Sequence, residues 1–540
     1  MKEEFKTLCS EFKKAASARH PWEAQWQELR DLIHPDASDF NRTASKGSTN
    51  HEQIMEGTAP WACEQLAGGL HTFLTSPVQR WFGIGVDNYN LEEDYEGLQW
   101  AEDVADAMVK QFARPITKFD PSIHENYQDL GSIGTTPLLQ EYDNETQSLT
   151  FKAIPLSDLW MKENHNGDID TVFRQVIWNT RQVKQHFTKE SDMITPKIFA
   201  EKNEEKMWTV IHVVFPRKDR NIFKQNKQNK KFASVWFCEE AEGIFRRDGF
   251  DTFPYHIARW KKKAGEVYGR SPGMTCLPDI RLINQMEKTQ IKSAQKAVDP
   301  PLLVPSDGFM MPIRTAPSSL IFFENGVADN NMLKPLEHKG RFDIGEEKMN
   351  QKRDHIMRCF YADWIVRDKK KERQTALEIQ DDRNEMLQLM APILGRLQTE
   401  FLGPIVVRAF GLLREHGHLP PAPPSLQGRN LNIYYTSPAA KAQLSSKSMG
   451  LRRFMQDVAP ILSIDPTAID SVDIDVIVQE LALHDEAPRR AIRTPEVVAK
   501  IRAARAEQQQ LQQAATAAQP LASAMKDVAT AKEKGVNIGL

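Results

Sequence analysis

Seven consecutive charged residues, Arg367-Asp368-Lys369-Lys370-Lys371-Glu372-Arg373, set five cations against two anions and leave that segment at a net charge of +3. A solvated surface is the usual fate of such a run. The chemistry open to it is phosphate contact, in which lysine and arginine displace counterions from a nucleic-acid backbone. The run stands just ahead of a helix start, the capping box Thr375-x-x-Glu378, whose side chains satisfy free backbone groups of the first turn. That position, between two long helices, favours the phosphate reading. A second basic stretch, from Arg220 to Lys231, is rich in asparagine and glutamine and reads as a solvated hairpin tip.

Reaction chemistry needs constellations that the sequence does not supply. The nearest approach to a phosphate loop, Gly265-Glu266-Val267-Tyr268-Gly269-Arg270-Ser271, lacks the loop length and the lysine, and without them a triphosphate is not cradled. Gly83-Ile84-Gly85 is not followed by the third glycine of a dinucleotide fingerprint, and His51-Glu52 and His124-Glu125 lack the second histidine of a metalloprotease helix. There is no G-x-S-x-G elbow for a nucleophilic serine. The acidic cluster Asp465, Asp470, Asp473 and Asp475 matches no EF-hand spacing, and Asp465-Pro466 reads as a helix cap followed by proline at the first helical position. Trp22 and Trp26 could stack a base, yet their spacing of four fits core or interface packing. The expectation is a protein with no catalytic residue, no cofactor and no metal.

Composition narrows the partners. At 540 residues the chain is long enough for two to four subdomains. A formal net charge of −3 excludes a basic coat, so nucleic acid can be met only through local clusters. No apolar run approaches the roughly 18 residues that would suggest a membrane span, and acidic Glu3 and Glu4 stand where a signal peptide needs a basic flank. The five cysteines (Cys9, Cys63, Cys238, Cys276, Cys359) form no C-x-x-C pair. That argues against a disulfide framework or a structural zinc and for synthesis in a reducing compartment.

The elements that must position the basic run are mostly long helices. Phe5, Leu8, Phe12 and Ala15, then Trp22, Trp26, Leu29 and Ile33, recur at helical spacing until His34-Pro35. After a polar stretch, 38–50, a helix is expected from about Ala59-Pro60 to Ser76-Pro77, then a strand over Trp81–Val86, then a helix over 92–113. From about 148 to 260 the period shifts toward two, predicting strands at Ser148–Ile154, Thr171–Trp178, Trp208–Phe215 and Val235–Cys238. Leu277, Ile280, Ile283, Met286, Ile291, Ala294 and Val298 mark one face of a long helix that stops at Pro300-Pro301. Short strands (Leu302–Val304, Leu320–Phe323), a second long helix over 341–361 and a third to about Glu415 follow. The third contains Pro392, Gly395, Gly403 and Pro404 and is expected to bend. A strand at Leu431–Tyr435 precedes a helical C-terminal part that turns Ala/Gln/Arg-rich beyond Thr494. The class is α+β.

That order of elements, with a set of local segments, resembles the portal, or head-to-tail connecting, proteins of short-tailed bacteriophages. The segments are Trp22-x-x-x-Trp26-x-x-Leu29, Ala67-Gly68-Gly69-Leu70, Ser76-Pro77-x-x-Arg80-Trp81-Phe82, Gly167 to Arg174, Tyr268-Gly269-Arg270-Ser271-Pro272, Pro300 to Pro305, Gln374 to Ile379, and Leu481 to Arg505 with its Arg493-Thr494-Pro495-Glu496. The resemblance runs over nearly the whole chain. It implies a portal fold: a mixed α/β wing from residues 1–270 and 375–436, stem helices at 271–298 and 341–361, and a small strand-containing clip at 299–340. It further implies a tunnel loop at 362–374 and a helical crown at 437–540. Arg367, Lys369, Lys370, Lys371 and Arg373 would then face DNA in a channel. The implied assembly is a ring of twelve at one capsid vertex, made in the host cytoplasm. Its implied partners are double-stranded DNA, the major capsid protein, the scaffolding protein, the terminase large subunit and a tail adaptor protein, with no membrane. The competing readings are a packaging nuclease or ATPase, which needs the phosphate loop or paired carboxylates missing above, and a scaffold or adaptor without DNA contact.

Overall fold

The computed structural model describes residues 2–40, 54–77, 79–86, 95–187, 196–221, 226–298, 302–303, 334–335, 342–365, 388–426, 431–435, 450–458, 460, 472–484, 493, 497–510 and 526. Chain contacts divide it into two compact units: Met1–Ile84, Val104–Pro421 and Ile433–Ala439 form the first, and Gly85–Asp103, Ala422–Asn432 and Ala440–Leu540 the second.

In the first unit, α1 (Lys2–Ile33) is a single helix that continues through Pro21 and ends one residue before His34-Pro35. Its N-terminal half lies on a five-stranded antiparallel sheet ordered β4 (Leu159–Glu163), β5 (Ile169–Asn179), β6 (Met207–Pro216), β7 (Phe232–Cys238), β8 (Gly243–Phe250). Leu8, Cys9 and Ala15 bury themselves against Phe173, Ile211, Val213, Val235 and Phe237. Phe12 meets Trp160 edge-on at 5.0 Å. Alternate residues of the same strands face the other way, where Val210 and Cys238 join Val183, Phe187 and Phe245 in a second cluster. The strands expected at Thr171–Trp178, Trp208–Phe215 and Val235–Cys238 are β5, β6 and β7, whereas β4 and β8 were not expected.

β3 (Ser148–Ala153) is the strand expected at Ser148–Ile154; it lies in a separate three-stranded antiparallel sheet with β2 (Thr135–Asp143) and β9 (Tyr255–Arg259), neither of which was expected. Its strands β2 and β9 run through six and five consecutive buried residues. Helix α4 (Phe119–Ser132) leads into β2 and was likewise missed, although Ile123, Tyr127 and Leu130 are fully buried.

Helices α2 (Thr58–Leu74), α3 (Tyr95–Phe112), α7 (Pro272–Val298) and α8 (Phe342–Cys359) stand where they were expected; the short α5 (Thr180–His186), α6 (Pro196–Phe199) and α9 (Ala362–Ile365) were not expected. Between α7 and α8, β10 (Leu302–Leu303) pairs antiparallel with β11 (Lys334–Pro335). The expected strand at Leu320–Phe323 lies outside the described residues. Residues 388–397 are helical and pass through a π-helical turn, Gln398–Leu402, into α10 (Gly403–Glu415). This is where the bend was expected. Pro404 has no N–H to return to the preceding turn, and the Gly403 N–H reaches back five residues to the Gln398 carbonyl. The hydroxyl of Tyr435, at the end of β12 (Leu431–Tyr435), donates to that same carbonyl at 2.7 Å. Within the first unit the Tyr434 ring also covers Gly83 of β1 (Phe82–Val86), leaving no room there for a Cβ.

In the second unit, α11 (Ile474–His484) is capped by Asp473, whose carboxylate accepts from the backbone N–H of Asp475 and Val476 at 3.0 and 3.2 Å. Arg502 holds Asp475 with two bonds of 2.7 Å. The acidic cluster is thus partly a helix start, as its composition suggested. Asp465 and Asp470 lie outside the described residues.

Candidate assembly site and the approach to the basic run

The motif Tyr268-Gly269-Arg270-Ser271-Pro272 is the socket from which α7 leaves the body. Ser271 Oγ accepts from the Met274 N–H at 2.9 Å and donates to the Ser132 carbonyl at 2.7 Å, so one buried hydroxyl caps α7 and ties it to the end of α4. Pro272 follows at the first position, where its missing N–H is not needed. Gly269 packs so closely on the Gly134 carbonyl and on Arg259 that a Cβ would collide with backbone, and Gly134 itself sits at φ +82°. Tyr268 is buried edge-on against Trp26 at 5.0 Å. Trp22 and Trp26 stack on each other at 5.6 Å, with Trp26 fully buried, so this pair is core. Ser271→Ala removes a cap and a buried hydrogen bond, each worth about 1 kcal/mol. The expected outcome is a loss of about 2 kcal/mol by chemical denaturation of the full chain; an unchanged midpoint would mean that the socket is not what holds α7.

From this socket α7 and α8 run antiparallel and are pinned at their base. Asp279 of α7 accepts from Lys352 and from His355 of α8, both at 2.6 Å. The Lys352 ammonium, with His355 beside it, holds the Asp279 carboxyl below its ordinary range. Arg353 reaches Glu56 at 2.5 Å and Glu287 at 3.6 Å, and Arg281 pairs with Glu28 of α1. The apolar face of α7 divides along its length. Leu277, Ile280 and Ile283 are at most 3% exposed, whereas Ile291 is 40% and Val298 87% exposed. An apolar stripe left open on a helix is a surface waiting for a partner.

At its far end α8 closes on the body through Phe360 and Ala362, both fully buried. Tyr361 turns the chain at φ +57° into α9, which packs against α2. The next residues, 366–387, lie outside the described set. Arg367, Lys369, Lys370, Lys371 and Arg373 are among them, as are Thr375 and Glu378. The described chain leads toward them as far as the end of α9, whose first residue, Ala362, is fully buried.

One polar centre escaped the sequence reading. Arg259, almost wholly buried, bonds Glu163 of β4 and Glu400 of the π-helical turn, the latter at 2.9 Å, and donates to the Gly167 carbonyl at 3.2 Å. Lys262 holds Glu163 at 2.6 Å and Arg396 holds Glu400 at 3.2 Å. Gly167 sits at φ +85° in the turn opening the Gly167–Arg174 segment. Two of the segments that carry the resemblance therefore converge on Arg259. Nothing in the spacing of Glu163, Arg259 and Glu400 could have joined them, because they stand 96 and 141 residues apart on two different sheets and a π-helical turn.

Among the described residues no group of three or more histidine, cysteine, aspartate or glutamate side chains could hold a metal ion, and no helix is long and apolar enough to cross a membrane. Arg220 bonds the Asn229 carbonyl within the β6–β7 connection, where the hairpin tip was expected.

Comparison with known proteins gives the arrangement a family. The model of the family described as "Bacteriophage head to tail connecting protein" matches residues 5–492. The "Probable portal protein" of Bordetella phage BPP-1 is 28% identical over 95% of this chain and 93% of its own. The "Portal protein" of Salmonella phage epsilon15 is 25% identical over 96% of this chain and 94% of its own. With a match spanning socket, helix pair and Arg259 centre alike, the chain belongs to the bacteriophage head to tail connecting protein family.

Proposed function

We propose that this head-to-tail connecting protein acts as a portal: a ring of twelve copies at one capsid vertex, through which DNA enters during packaging and leaves on ejection. On this reading α7 and α8 are the stem, residues 299–340 the clip, 362–374 the tunnel loop, 437–540 the crown, and the rest of the chain the wing. The ring nucleates procapsid assembly with the scaffolding and major capsid proteins, docks the terminase large subunit, and later receives a tail adaptor. It is a structural component of the virion.

The observation that carries this reading is the division of α7. A helix held by Ser271 and Asp279 at its base, yet apolar and open at Ile291 and Val298, suits side-by-side packing with another copy of itself. A contact between two different faces of one subunit closes into a ring when its rotation divides a full turn. Native mass spectrometry of the purified full-length protein is expected to give one closed species, of twelve subunits. A stable monomer throughout the micromolar range contradicts the proposal.

A further inference from the structure

We infer that Cys276 and Cys359 form a dithiol site at the base of the helix pair, closed to a disulfide by low-molecular-weight disulfides. Asp279 fixes the register of α7 on α8 by bonding both Lys352 and His355. One turn from that layer, three residues before Asp279 and four after His355, stand Cys276 and Cys359. Residues at these spacings share a helix face, so the antiparallel pair brings the two thiols opposite each other, near enough for each to shift the other's titration. All five cysteines are free, but only this pair meets.

The two thiols are unequal. Cys276 is fully buried, and its thiol, hydrogen-bonded to Cys359 and desolvated, is pushed up. Cys359 is partly exposed and lowered to about 7 by the hydrogen bond from Cys276, with His355 and Lys261 adding to the effect and burial and Asp279 opposing it. The exposed member is therefore the nucleophile and the buried one the resolving group. The Cys359 thiolate attacks one sulfur of the external disulfide, and the other sulfur departs as a thiolate. Cys276 then gives up its proton and attacks the Cys359 sulfur, releasing the second thiol. Two protein thiols are oxidised to one disulfide while one small disulfide is reduced to two thiols.

The bond would tie α7 to α8 two residues before Tyr361 turns the chain toward the basic run. Inside a reducing cell the pair stays open; in a particle outside the cell oxidation is the ambient chemistry. That timing rests on the head-to-tail reading, whereas the chemistry belongs to the subunit and is tested without it. Purified full-length protein is treated with oxidised glutathione, alkylated in denaturant, digested without reductant and mapped by mass spectrometry. The expected result is one linked peptide joining Cys276 to Cys359 in most chains, with Cys9, Cys63 and Cys238 alkylated. Cys276→Ser is expected to stop at a stable glutathione adduct on Cys359. Wild-type protein that keeps both thiols free, or retains the adduct on Cys359 without the internal link, overturns the inference.

Discussion

Replacing Arg259 with alanine is expected to destabilise the first unit by about 3 kcal/mol, with a corresponding drop in the denaturation midpoint of the full-length protein. Removing one member of a buried ion pair ordinarily costs about 3 to 5 kcal/mol, because the partner charge is left desolvated. Here the lower end applies, since Glu163 keeps Lys262 and Glu400 keeps Arg396. What is lost is geometry: a single planar guanidinium bonds β4, the π-helical turn and the Gly167 turn at once. Arg259→Lys should recover little, because an ammonium does not reproduce the fork. A change below about 0.5 kcal/mol, the size of an ordinary surface substitution, would show that the centre is too well hydrated to matter.

The second large effect is expected in the basic run. Changing Lys369, Lys370 and Lys371 together to alanine takes the segment from +3 to neutral in every subunit. If the run faces DNA in a ring, each exposed contact is weak and reaches only about 8 Å at physiological salt. Repeated around the ring, such contacts centre the duplex or oppose its slipping back without trapping it. A uniformly basic channel would stall instead, since each phosphate neutralised strengthens binding. Particles built with the triple variant should assemble normally and hold less DNA. Their loss of DNA with added salt should be shallower, by about 0.9 in log–log slope for each phosphate contact removed. Unchanged DNA content and slope would return the lysines to a solvated turn.

How legible each part was depended on whether its determinants were local. Helix α7 could be read because Leu277, Ile280 and Ile283 repeat on one face and prolines follow Val298. The π-helical turn could be anticipated as a bend because Gly403-Pro404 breaks the local hydrogen-bond ladder. Strand β12 stands at Leu431–Tyr435, where it was expected. By contrast β2 and β9 were silent: β2 carries Pro137 within it and β9 reads Tyr255-His256-Ile257-Ala258-Arg259, so neither offers the run of β-branched residues that marked β6. The Arg259 centre and the Cys276–Cys359 pair were silent for another reason. Each joins residues far apart in sequence whose meeting is decided by the packing of separate elements or by helix register. The cysteine count alone had argued against any disulfide framework, and it carries no information on which two thiols pack together.

End-on electron micrographs of the purified full-length protein bear hardest on the proposal that this subunit closes into a ring around DNA. Rings of uniform size are expected, with a central channel wide enough for a DNA duplex, roughly 20 Å in B-form; the exposed Ile291 and Val298 on α7 motivate that expectation. Compact particles without a channel, or open filaments in place of closed rings, would contradict it.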